Sequence, residues 1–126
     1  MKTCHSLGIS LLVFFAFLTA APGAFAAGKG DPSAGKAKYD LLCASCHGTT
    51  GKGDGPVAAA LTPKPRSLAD QPYMKGLKDD HLFKVIKDGG PAVGKSPLMP
   101  GFGGQLTEED IRNVVAYLRE LAKAGK

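Results

Sequence analysis

Cys43-Ala44-Ser45-Cys46-His47 decides how the rest of the chain is read. The spacing is C-x-x-C-H, the attachment signature of c-type haem. Two thiols add across the haem vinyl groups as thioethers, and the adjacent imidazole takes one axial position on the iron. On a helical turn Cys43 lies three residues before Cys46 and four before His47. All three can then face one haem. The competing account of the same five residues is a buried cysteine pair beside a solvated histidine.

The surroundings favour haem. The chain has 126 residues, enough for one small domain. Its N-terminus has Lys2, an apolar run from Ile9 to Leu18 broken only by Ser10, and the small-x-small triplet Ala24-Phe25-Ala26. These are the parts of a secretory signal cleaved after Ala26, which leaves 27–126 as the working domain, exported to a periplasm. The alternative is a retained anchor, because Leu7 to Ala27 runs 21 residues without a charge. Both readings place the domain outside the cytoplasm.

The cysteine arithmetic agrees. Of three cysteines, Cys4 leaves with the signal and only Cys43 and Cys46 remain. An oxidising compartment would pair them, and haem attachment is the other way to use both. Beyond the leader the aromatic residues are only Phe83, Phe102, Tyr39, Tyr73 and Tyr117. So few aromatics make a thin core, and a large apolar plate would fill it.

The chain carries 16 basic and 11 acidic residues, and loss of Lys2 leaves a net charge of +4. The charges are spread, with no basic block, so nucleic acid is not indicated as a partner. A mildly basic surface suits brief contact with acidic redox proteins.

The predicted elements are helical. Asp31-Pro32 opens a helix that runs to about Cys43, with Asp as cap and Pro in the first turn. Gly48 to Gly55 is a loop with four glycines in eight residues. A helical turn follows at 56–61, ended by Pro63 and Pro65. A helix starts at Lys78 or Asp79, buries Leu82, Val85 and Ile86, and ends at Gly89. Thr107 and Asp110 form a capping box in which Asp replaces Glu. Ile111, Val114, Val115, Leu118 and Leu121 give the stripe of an amphipathic last helix. No strand alternation, internal repeat or second domain is visible.

Between the last two helices, residues 89–104 hold six glycines and three prolines. A loop of this length needs a task. Met99, flanked by Leu98 and Pro100 and lying 52 residues after His47, supplies one as the second axial ligand. Thioether sulfur stabilises ferrous iron and raises the reduction potential. Met74 and His81 are the rivals. Met74 sits in Tyr-Met-Lys-Gly without flanking rigidity and is expected to be packing or surface. His81 sits in an acidic helix start and is expected to be exposed to solvent.

These stretches together resemble the small class I monohaem c-type cytochromes, in particular the haem domains of the cbb3-oxidase cytochrome subunit. The similarity runs from Asp31 to about Leu121. Its carriers are Gly35-Lys36-Ala37-Lys38-Tyr39, the attachment segment with Gly48, Gly51-Lys52-Gly53-Asp54-Gly55-Pro56, Leu82 to Gly89, Leu98 to Phe102, and Leu106 to Leu118. The resemblance implies an all-α fold whose first and last helices cross, with Gly35, Tyr39 and Tyr117 at the crossing. It implies that the Pro56 carbonyl holds the other ring nitrogen of His47, a contact that fixes the tautomer. It also suggests Arg66 and Tyr73 as partners of the haem propionates.

The expected function is one-electron transfer by a monomer through a closed His47/Met99 iron, with no small-molecule substrate. Three alternatives differ in testable ways. A haem enzyme or gas-binding protein would have a labile or absent methionine ligand. A thiol-disulfide oxidoreductase would use Cys43 and Cys46 but needs a βαβ setting, which this chain lacks. A subunit of a larger oxidoreductase would still carry electrons.

Overall fold

The computed structural model describes residues 28–125. The expected leader at 1–26 lies outside the described residues. Five helices follow in order: α1 Pro32–Leu42, α2 Ala44–His47, α3 Gln71–Lys75, α4 Asp79–Asp88 and α5 Glu108–Ala124. Two short 3-10 turns occupy Ala58–Ala60 and Gly90–Val93. Among the described residues there is no strand, and no helix is long and apolar enough to cross a membrane.

The helix ends follow local chemistry. Asp31 accepts from the Ser33 and Ala34 amides and Pro32 occupies the first turn of α1. Thr107 and Asp110 form the expected reciprocal box at α5, with Thr107 Oγ1 accepting from the Asp110 amide at 3.1 Å. Gly89 ends α4 at a φ of 87°, a value that favours glycine.

α1 and α5 form the most extensive helix pair. Tyr39 and Tyr117 meet edge to face, with ring centroids 5.2 Å apart. Gly35 lies directly against the α5 backbone. A Cβ there would stand 2.9 Å from the Val114 nitrogen and closer still to the Asn113 carbonyl. Glycine at 35 therefore lets the two backbones touch. The Asp31 amide adds a bond to Asn113 Oδ1 at 2.7 Å.

The core gathers on α5. Ile111, Val114, Val115, Tyr117 and Leu118 are buried, joined by Tyr39, Met74, Leu82, Ile86, Phe102 and Leu106. Leu121, expected in the same stripe, is only half-buried. The helix α3 was not anticipated. It forms because Asp70 caps it by accepting from the Tyr73 amide at 3.2 Å, Pro72 fits its first turn, and Met74 is fully buried.

Candidate functional site

The attachment segment sits at a break between two helices. Cys43 closes α1, its amide bonded to the Tyr39 carbonyl at 2.8 Å, and precedes α2. The His47 amide donates to the Cys43 carbonyl at 2.9 Å, and the Gly48 amide to that of Ala44 at 2.9 Å. The turn is tied back to α1 by Tyr39, whose hydroxyl donates to the Gly48 carbonyl at 2.7 Å. Burial, and to a lesser degree the coulombic effect of Tyr117 and the nearby thiol, hold the Tyr39 phenol well above its ordinary pKa. Tyr39 thus stays a neutral donor, and it couples the helix crossing to the attachment turn. Sequence reasoning placed it only at the crossing.

Cys43, Cys46 and His47 all face one cavity of about 890 Å³, a size that suits a cofactor. The wall is mainly apolar, with Leu68, Leu82, Val85, Ile86, Phe102 and Leu118 among its side chains. The charged side chains on it are Lys64, Arg66 and Lys95, and no carboxylate lines it among the described residues. An apolar chamber with a basic rim fits a large planar ring that carries two carboxylates. Arg66 lies 4.2 Å and Lys95 5.8 Å from the Tyr73 ring centroid. Arg66 is also paired with Asp70 at 2.9 Å.

Both cysteines are free and half-buried. Burial, then the neighbouring Cys46, pushes the Cys43 thiol up to about 11. Burial lowers the pKa of His47, and the Arg66 backbone carbonyl works in the opposite direction. The imidazole is therefore held neutral, the form that ligates a metal. His47 Nδ1 is sealed from solvent and has no partner within hydrogen-bonding geometry. The carbonyl beside the ring is that of Arg66. Pro56 stands exposed and off the cavity wall. Residues 55–57 are instead tied to the α2 backbone, the Gly55 amide donating to the Cys46 carbonyl at 3.2 Å and the Val57 amide to the Ser45 carbonyl at 3.1 Å.

Met99 lines the same cavity. Its loop is anchored to the end of α4. The Gly90 amide donates to the Met99 carbonyl at 2.9 Å, the Phe102 amide to Ile86 at 2.8 Å, and the Gly103 amide to Lys87 at 2.9 Å. A Cβ at Gly90 would come within 3.2 Å of the Met99 Cβ, so the loop packs tightly where it carries the thioether. The rivals separate clearly. Met74 is fully buried in the core and does not line the cavity. His81 differs from expectation: it is half-buried, lines the cavity, and its Nε2 is sealed from solvent without a partner. The acidic residues beside it in sequence face outward, while the helix turns residue 81 toward Leu77 and Val85 on the cavity side.

The family model for cytochrome c oxidase, cbb3-type, subunit III matches residues 30–118. The chain belongs to this family. It is a c-type cytochrome, an electron carrier with covalently bound haem c, and its partners are redox proteins. Cytochrome c-554(547) of Halothiobacillus neapolitanus is 36% identical over 94 residues, covering 73% of this chain and 98% of that one. A cytochrome c6 of a Picosynechococcus species is 32% identical over 127 aligned positions, covering 100% and 99%. Among solved structures, cytochrome c6 of the diatom Phaeodactylum tricornutum superposes with a TM-score of 0.54 at 29% identity, covering 77% of this cytochrome and all of that chain. The all-α class I fold read from the sequence is the fold of these relatives.

Proposed function

We propose that this cytochrome is an exported one-electron shuttle whose iron is held between His47 and Met99. The observation that carries the reading is that Cys43, Cys46, His47 and Met99 converge on one apolar cavity. Haem, when bound, supplies the one-electron couple. The chain supplies two thioether links, a neutral imidazole, a rigidly mounted thioether and a wall that excludes water. With His47 and Met99 both holding the iron, no position would stay open for a substrate, and the protein would move electrons without bond chemistry. Residues 1–26 act as the export signal and 27–126 as the haem domain in the periplasm.

Optical spectra of the oxidised and reduced protein test this reading. The ferric form is expected to show the weak far-red sulfur-to-iron band, and its haem should stay with the chain in acid-acetone. Haem that extracts fully into the organic phase would sink the covalent assignment. A second reading has its own observation, because the matched family is described as an oxidase subunit. In that case the protein from its own cells elutes inside a large haem-containing complex rather than as a single small chain.

Docking follows from charge. Lys52 is exposed in the loop after His47, and Lys95 lies on the cavity rim against Tyr73. Such a basic rim steers an acidic partner and speeds encounter more than it adds affinity. Screening acts over about 8–10 Å at physiological salt. The bimolecular electron-transfer rate with an acidic redox partner should therefore fall as salt rises. Lys52→Glu with Lys95→Glu should slow it at low salt and leave the potential nearly unchanged. A rate that is flat or rises with salt would point instead to apolar contact at the haem edge.

A further inference from the structure

Arg119 spends its whole guanidinium on one short stretch of chain. Its NH1 donates to the Met74 carbonyl, its NH2 to the Leu77 carbonyl at 2.6 Å, and its Nε to Asp79 Oδ1 at 2.8 Å. Met74 lies in the last turn of α3, where carbonyls lack intrahelical partners, Leu77 in the connection that follows, and Asp79 at the start of α4. Met74 O also accepts from the Leu77 amide at 3.2 Å. The planar fork of arginine can meet three such acceptors at once, and the point charge of lysine cannot. The guanidinium is well covered: its side chain is 27% exposed, against 70% for Asp79.

The strapped stretch is part of the cavity wall. Tyr73, Leu77 and His81, spaced four apart, all line it, as does Leu118 beside Arg119 on α5. α3 has only five residues and buries only Met74. We infer that Arg119 is a positioning residue that keeps the α3–α4 wall closed over the haem and so excludes water from it. Burial of a haem is one of the levers on its potential. The inference rests on the proposed seating of haem between His47 and Met99.

The test compares Arg119→Ala, Arg119→Lys and Arg112→Ala in the haem-loaded protein. Arg112 is a control from the same helix, paired with Glu108 at 3.3 Å, set over the Phe83 ring and off the cavity lining. Three properties are read: midpoint potential, far-red ferric band, and amide exchange at Leu77 and Leu82. Arg119→Ala should lower the potential, keep the band, and speed exchange at both amides about tenfold, as expected for loss of a charge-assisted hydrogen bond. Arg119→Lys should fall between it and the wild type, and Arg112→Ala should change none of the three. A lower melting temperature with a wild-type potential in Arg119→Ala would reduce Arg119 to a structural strap and overturn the inference. Loss of the band in that variant would also overturn it, since Arg119 would then act through the ligand. If Arg119→Ala fails to fold, an unchanged potential in Arg119→Lys overturns it. A far-red band missing from the wild type would instead mark failure of the ligand reading, independently of Arg119.

Discussion

Replacing Met99 with alanine is expected to lower the reduction potential, abolish the weak far-red band of the ferric form, and let carbon monoxide bind the ferrous form. The thioether favours ferrous iron, and axial ligands set haem potentials over a range of about 0.8 V. The drop should accordingly be on the order of a hundred millivolts or more. The loop around Met99 is fixed by bonds from Gly90, Phe102 and Gly103, none of which uses the Met99 side chain. The substitution should therefore empty one ligand position without releasing the loop. Two controls sharpen the result. Met74→Ala removes a fully buried core side chain and should cost about 2–5 kcal/mol of stability, with the band retained. His81→Ala also should keep the band. If either control abolishes the band while Met99→Ala is silent, the ligand assignment is wrong.

The second large effect is steric. Any side chain at position 35 meets the α5 backbone at Asn113 and Val114, which cannot rotate away as a side chain could. Overpacking costs about 1–3 kcal/mol where neighbours can adjust, so Gly35→Val should lie at or above the upper end. For a domain of this size about 3 kcal/mol corresponds to a fall in melting temperature of about 12–24 °C. The haem spectrum should stay near normal, because position 35 itself does not line the cavity. Ala34→Val, at an exposed position on the same helix, should change the melting temperature by only a few degrees. Equal melting temperatures for Gly35→Val and the wild type would mean that α1 and α5 do not touch through this glycine.

The parts legible in the sequence are those that side-chain type and spacing encode. C-x-x-C-H and the capping box at Thr107 each state their role within a few residues, the glycine- and proline-rich stretch marks the loop that brings Met99 to the same cavity, and Gly35, Tyr39 and Tyr117 followed from the resemblance. The parts that were missed depend on backbone or on distant partners. Helix α3 is too short for any periodicity and forms through an Asp70 cap and the burial of Met74. The carbonyl near His47 belongs to Arg66, and no side-chain pattern announces which carbonyl a folded loop will present. His81 was read from its acidic neighbours, whereas the helix turns it into the cavity. The three acceptors of Arg119 lie more than 39 residues away in sequence, beyond the reach of any local pattern.

The pairing of α1 with α5 has a consequence for how the chain is assembled. The first helix has 11 residues and buries only Gly35 and Tyr39, and an isolated helix of that length is marginal in water. Its main partner is the last element of the chain, so the contact that completes the fold has a very long sequence separation and forms late. Until α5 docks, α1 lacks its main partner, and the turn that bears Cys43, Cys46 and His47 stays reachable. The fold holds open a time window in which the thiols are reachable, and the final helix shuts it.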